Sequence, residues 1–226
     1  ECKMLSGAIR LAVEKGALTD GDIDVLFSGD LLNQIISASF AARDFQFPFL
    51  GLYSACSTMS ESILLAAAMI DGGFARNCVA ATGSHFASAE RQYRYPLELG
   101  CTRPPQSQWT VTGAGACVIS GEEGGIQVVN ATLGRVRDWG ISDVNNMGAA
   151  MAPAAADTIM RHFKDTNTLP EDYDMIVTGD LGALGSRILK DLTWEKGYDI
   201  APNHVDCGEI IYKVIEDEFQ GGSGAG

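Results

Sequence analysis

The sequence predicts an α/β protein built from one structural unit used twice, and three observations lead there. Asp22-Ile-Asp-Val-Leu-Phe-Ser-Gly-Asp-Leu31 and Asp172-Tyr-Asp-Met-Ile-Val-Thr-Gly-Asp-Leu181 share the pattern DxDxxx(S/T)GDL at an offset of 150 positions. Each copy lies between helix-like segments, 2–15 and 31–44 in the first case, 147–165 and 183–194 in the second. Repetition of the context along with the motif marks duplication rather than a chance match. The third observation is Gly51-Leu-Tyr-Ser-Ala-Cys-Ser-Thr58, where an apolar run turns through small hydroxyl residues into a helix whose stretch Ile63 to Ile70 is apolar on every side. Such a helix is expected to lie buried between two layers.

The elements follow in order. The amphipathic start, Glu1 to Val13, is a helix with no cap before it. The apolar middle of each repeated motif is a buried strand that ends at Gly-Asp and turns into a helix. Strands are predicted at 23–28, 48–53, 77–82, 111–119 and 126–133 in a first half, residues 1–138, and at 174–178 and 208–215 in a second half, residues 139–226. Residues 84–108 carry turn chemistry and mixed charge, and are expected as an excursion over the active face. The glycine-rich end, Phe219 to Gly226, and the uncapped start together suggest a chain cut at both ends.

Composition excludes several function classes. The 226 residues are 46% hydrophobic and 20% charged, enough apolar content for a sizeable core. A net charge of −13 supplies no basic face for nucleic acid. The longest apolar run is far short of a membrane span and no signal peptide is visible, so any membrane association is peripheral. Six scattered cysteines form no CxxC pair, and Cys78 and Cys117 read as core strand residues of a reducing compartment.

Chemistry concentrates at Cys56. A cysteine entering a helix lies beside unpaired backbone N–H groups and the positive end of the dipole, both of which favour a thiolate. Equally, free cysteine packs as a small hydrophobe. The elbow's Ser57 and Thr58, with the N–H groups beside them, offer a carboxylate site. Arg91, Arg94 and Arg103 gather in the excursion, with Arg135 and Arg137 after the fifth strand, and form the cationic neighbourhood of an acidic chain. His204 in Pro202-Asn-His-Val-Asp-Cys-Gly208 reads as a loop histidine bonded to its neighbours, because HxDC alone is a weak metal signature. His85 follows a strand at the pocket or in a turn, and His162 is expected to be solvated at a helix end.

The duplicated α/β half, the cysteine elbow and the later glycine-rich elbow together resemble the thiolase fold, a five-layer αβαβα sandwich shared by thiolases and ketoacyl synthases. The strings Phe27-Ser-Gly-Asp-Leu-Leu-Asn-Gln34, Ala55-Cys-Ser-Thr58, Glu90-Arg-Gln-Tyr-Arg-Tyr-Pro96 and Met147-Gly-Ala-Ala-Met-Ala-Pro-Ala-Ala-Ala-Asp-Thr158 resemble the stage V sporulation protein AD family of spore-forming Firmicutes. That resemblance implies further segments at both ends. It also implies binding of dipicolinic acid, pyridine-2,6-dicarboxylate, alone or as its calcium chelate, during uptake into the developing spore. Membrane proteins of the same operon are the implied partners, at the cytoplasmic face of the spore membrane. No cofactor or bound metal is implied, and a homodimer is left open.

Condensing enzymes of this fold need imidazole or amide partners from the second half. Here Asp180 stands at the first partner position and Gly221-Gly-Ser-Gly224 at the second. An aspartate close to Cys56 would disfavour the thiolate. Alternatively Asp180 caps the next helix, as its repeat partner Asp30 would. The resemblance therefore implies a binding protein without catalysis, its pocket where Cys56, Asp180, Gly222 and Ser223 converge beneath the excursion. An acyl-thioester enzyme using Cys56 with His204 or His85, and a purely structural subunit, are the other readings.

Overall fold

A computed structural model describes residues 1–93, 103–122, 124–212, 219–224 and 226. They form two compact units, Glu1–Leu99 with Thr110–Val128, and Gly100–Trp109 with Val129–Gly226.

The first unit is a mixed sheet between helices. Helix α1 (Cys2–Lys15) buries Leu5, Ile9 and Val13 at helical spacing, and strand β1 (Val25–Asp30) is buried at every position. Helix α2 (Ile36–Ala42), strand β2 (Phe49–Gly51), helix α3 (Thr58–Asp71), strand β3 (Asn77–Ser84), helix α4 (Phe86–Tyr93), strand β4 (Trp109–Thr110) and strand β5 (Gly113–Ser120) follow. The four-stranded sheet runs β2-β1-β3-β5, with β1 parallel to both neighbours and β5 antiparallel to β3. Alternation along β1 sends Leu26 to a core with Leu5, Ile9, Ala38 and Val79, and Val25 and Phe27 to one with Ala66 and Cys78. Because β1, β2 and β3 are parallel, their C-terminal ends lie along one edge of the sheet, where open α/β sheets place ligands.

In the second unit, helix α5 (Met147–Thr166) packs on helix α6 (Gly182–Trp194), with strand β6 (Ile176–Thr178) parallel to strand β7 (His204–Asp206). Helix α7 (Cys207–Ile211) and strand β8 (Gly222–Ser223) complete it. The core is Ala152, Ala156, Phe163, Leu181, Leu189 and Ile200.

The duplication is visible down to single hydrogen bonds. A short 3-10 turn precedes each repeated strand, Asp20–Asp22 and Pro170–Asp172. In each, an aspartate accepts the N–H three residues back at 2.8 Å, Asp22 from Thr19 and Asp172 from Leu169. The glycine of each Gly-Asp pair is also explained. A Cβ on Gly29 would lie 2.1 Å from the Leu52 carbonyl oxygen, and one on Gly179 would lie 2.6 Å from the Gly226 Cα.

Several elements differ from expectation. Residues 126–133 form no strand, since no ladder partner lies beside them among the described residues, and Ile126, Val129 and Leu133 are exposed. The strand expected at 208–215 is instead β7 followed by α7, because the Asp206 carboxylate accepts the Glu209 N–H and caps a helix there. Residues 213–218 lie outside the described set. Within its own unit, helix α3 fully buries Thr58, Ser62 and Ala66, packs Leu65, Met69 and Ile70 against the sheet and leaves Ala68 exposed. The excursion begins with a regular helix, α4, while residues 94–102 lie outside the described set. Cys117 is half-buried, unlike the fully buried Cys78. The glycine-rich end is packed, with Phe219, Gly221, Gly222 and Ser223 buried.

The Gly29 contact gives a direct test. Gly29→Ala should destabilise the protein by about 1–3 kcal/mol in urea unfolding, because backbone must move to admit the methyl group. Gly7→Ala in α1, with nothing within 4 Å of its Cβ position, should be neutral or gain up to about 1 kcal/mol. Equal stability of the two variants would contradict the packing described.

Candidate functional site

In the first unit, three strand ends present the predicted residues. Beyond β1, the Asp30 carboxylate, 1% exposed, accepts the Leu32 N–H at 2.7 Å and the Ala38 N–H at 2.6 Å. Burial pushes its pKa up, against the pull of those hydrogen bonds. Beyond β2, Cys56 lies in a single 3-10 turn, Ala55–Ser57, that runs straight into α3. Ala55 has φ +46°, so the elbow is a strained corner carried by a residue other than glycine. Ser57 hydrogen-bonds the Ser54 carbonyl at 3.0 Å and the Ser54 hydroxyl at 2.5 Å, which braces the turn. Beyond β3, His85 is half-buried and its Nδ1 accepts the Ala87 N–H at 3.2 Å, a turn role at the entry of α4.

Sequence reasoning missed the residues around Cys56. Tyr53 donates to Asn33 Oδ1 at 3.1 Å, Tyr93 donates to the Leu31 carbonyl, and the Asn33 N–H donates to Gln92 Oε1 at 3.0 Å. Burial, then the neighbouring Tyr53, Asp30 and Cys56, push the Tyr93 phenol up to about 12. Loop segments 31–33 and 53–56 and the last turn of α4 thus meet at one corner. The position of Tyr53, three residues before the elbow cysteine, was the available signal.

In the second unit, the ends of β6 and β7 gather Asp180, His204 and the Gly222 elbow. Asp206, 1% exposed, is the hub. Its carboxylate accepts from the Thr178 hydroxyl at 2.7 Å, from the N–H groups of Leu181 and Gly182 at 2.9 Å each, and from the Glu209 N–H at 3.0 Å. Asp206-Cys-Gly-Glu209 has the spacing of a capping box, the signal that could have identified it. The Thr178 hydroxyl gives its proton to Asp206, so at 2.9 Å it must accept from His204 Nε2. His204 Nε2 therefore carries a proton, and the buried Nδ1 has no hydrogen-bond partner, a place that favours the neutral ring. Burial, aided by the charge on Lys190, lowers its pKa to about 4, and Asp206 opposes this only in part. His204 is a strand residue of the core, 8% exposed, and not a loop histidine.

Asp180 does not cap α6 as its repeat partner suggested. The Leu181 and Gly182 amides go to Asp206, the Ala183 amide goes to the Gln220 carbonyl at 2.7 Å, and Asp180 Oδ1 accepts the Gly226 N–H at 3.2 Å. Gly222 and Ser223 are buried in β8 against the start of α7, where a Cβ on Gly208 would lie 2.4 Å from the Gly222 carbonyl oxygen.

The remaining cations and His162 are committed elsewhere. Arg135 and Arg137 both bind Asp157, whose carboxyl they hold well below the usual range. Arg103 lies 4.4 Å above the Trp109 ring and donates to the Gln108 carbonyl. Arg91 is exposed on the last turn of α4, and Arg94 falls outside the described residues. His162 is not solvated, since both ring nitrogens are bonded, to Thr132 at 2.8 Å and Tyr173 at 2.9 Å. Among the described residues no group of three His, Cys, Asp or Glu side chains is placed to hold a metal, and no helix is long and apolar enough to cross a membrane.

The parallel strands, the duplication and the cysteine elbow define a thiolase-like α/β protein, and solved structures agree on the fold. OleA of Xanthomonas campestris matches with TM-score 0.67 and 14% identity over 99% of this chain and 71% of that one. The 3-oxoacyl-[acyl-carrier-protein] synthase III of Aquifex aeolicus matches with TM-score 0.66 and 13% identity, over 99% and 71%. The chain belongs to the stage V sporulation protein AD family, whose model matches residues 1–226. It is 51% identical over 224 residues to stage V sporulation protein AD of Bacillus subtilis (strain 168), covering 99% of this chain and 66% of that relative's length.

His204 makes stability depend on pH in a defined window. Its folded-state pKa of about 4 lies below the ordinary value near 6.5, so the full contribution is present above about pH 6.5. It is lost as pH falls toward 4, by up to about 3 kcal/mol. Urea unfolding from pH 7 to 4.5 should show that loss, and His204→Gln should flatten it; an unchanged slope in the variant would contradict the assignment.

Proposed function

We propose that this protein is a thiolase-fold binder without catalysis, which takes up dipicolinic acid for transfer into the developing spore alongside membrane proteins of the same operon. Family membership supports the sporulation setting. The observation that carries the non-catalytic reading is the use made of the imidazoles. All three histidines of the chain are tied into its framework, His85 to Ala87, His162 to Thr132 and Tyr173, and His204 to Thr178. A condensing enzyme needs a positioned group to carry the thiol proton. The neutral, buried His204 instead gives its proton to a hydroxyl that secures a carboxylate. What remains is the elbow with the backbone N–H groups at the start of α3, which suit a carboxylate guest, since the hydroxyls of Ser54, Ser57 and Thr58 are committed within the turn, and Cys56 lies in that same turn. Calcium, as the dipicolinate chelate, would be brought by the ligand.

The strained Ala55 elbow favours a second reading, in which Cys56 is acylated by a thioester. Calorimetry separates the two. Dipicolinate, with and without calcium, should bind saturably, and incubation with simple acyl-CoA compounds should leave Cys56 unmodified by mass spectrometry. An acyl-enzyme, or rapid stoichiometric alkylation of Cys56 at pH 6, would establish the enzyme reading instead.

Side-chain volume at the elbow supplies a further test. Cys56→Ala should change dipicolinate affinity by less than about threefold, because it removes one small side-chain atom and leaves the backbone of the elbow in place. Cys56→Leu should abolish detectable binding in a folded protein. Undiminished binding by that variant would move the ligand away from the elbow.

A further inference from the structure

Tyr53 and Tyr93 are 63% and 50% exposed, yet both hydroxyls are turned into the corner beside Cys56. An exposed tyrosine ordinarily gives its hydroxyl to water and keeps its rotamer freedom. Here Asn33 Oδ1 holds Tyr53 at 3.1 Å and the Leu31 carbonyl holds Tyr93. The corner itself is fixed, since Asn33 donates to Gln92 Oε1 at 3.0 Å and Gln34 and Ile35 are held at φ 60° and 46°. Among the described residues neither ring stacks on another aromatic ring. Two rigid, electron-rich rings with unstacked faces beside the elbow form a surface prepared for a flat partner, with the cost of ordering already met.

We infer that Tyr53 and Tyr93, steadied by Asn33 and the Leu31 carbonyl, grip the ring of the ligand and make the site selective for a planar aromatic dicarboxylate over a saturated one. This rests on the binding role proposed above and assigns its ring selectivity to named residues. An electron-poor pyridine carrying two carboxylates complements the phenol rings by offset or edge-to-face contact, whereas a puckered ring of the same span cannot lie against them.

The test uses the full chain and two dianions with similar carboxylate spacing, dipicolinate and cis-cyclohexane-1,3-dicarboxylate, measured by calorimetry and by competition. The wild type should prefer dipicolinate. Tyr53→Leu and Tyr93→Leu should each weaken dipicolinate about five- to tenfold and leave the saturated ligand unchanged, while Tyr53→Phe, which keeps the ring, should retain the preference. Urea unfolding of each variant establishes that it is folded. Dipicolinate binding that survives both leucine substitutions, or an equal loss for both ligands, overturns the inference and leaves the binding role standing. Absence of any dipicolinate binding by the wild type overturns both.

Discussion

A strand that turns into a helix leaves amide groups with no partner in the chain's own ladder, and something must accept them, whether the strand is buried throughout like β1 or partly exposed like β6, where a buried strand was expected. The two copies of the Gly-Asp corner meet this requirement differently. In the first, Asp30 accepts the amides of Leu32 and Ala38 itself. In the second, Asp206 from the next strand takes the amides of Leu181 and Gly182 and also starts α7. The glycine before each aspartate is set by the same geometry, because backbone occupies the place of its Cβ.

Much of the second unit follows from that exchange. Asp206 orders Thr178, Thr178 fixes the tautomer of His204, and His204 is committed as a neutral core residue. The imidazole that sequence alone offered as a catalytic base is thus part of the device that ends β6. Asp180 holds a different post from Asp30, at the Gly226 amide, with the nearby Cys207 thiol pushed up chiefly by burial and then by Asp206 and Asp180. All three imidazoles of the chain are held by hydrogen bonds within their own units.

The duplication was legible because it rests on local chemistry that repeats in sequence, namely an aspartate-capped turn, an apolar strand and a Gly-Asp corner. The elbow at Cys56 was legible for the same reason. What was not legible depends on partners distant in the chain. Residues 126–133 have the pattern of a strand, but a strand exists only where a ladder partner lies beside it. His162 looked solvated on its helix until Thr132 and Tyr173 closed on it, and the arginines after the fifth strand looked available until Asp157 claimed both. Tyr53 and Tyr93 carry no motif, and their role emerges only from the corner that holds them.

The central claim is that the two repeated corners have parted in structure, Asp30 accepting the amides after its own strand while Asp206 takes that role in place of Asp180. Alanine substitutions at Asp30, Asp180 and Asp206, each followed by urea unfolding, test it most directly. The account predicts that Asp30→Ala loses about 1–3 kcal/mol of stability by leaving two buried amides without an acceptor. It predicts a loss of at least that size for Asp206→Ala, which frees the amides of Leu181 and Gly182, and stability within about 1 kcal/mol of wild type for Asp180→Ala. Equal stability losses for Asp180→Ala and Asp206→Ala would contradict it.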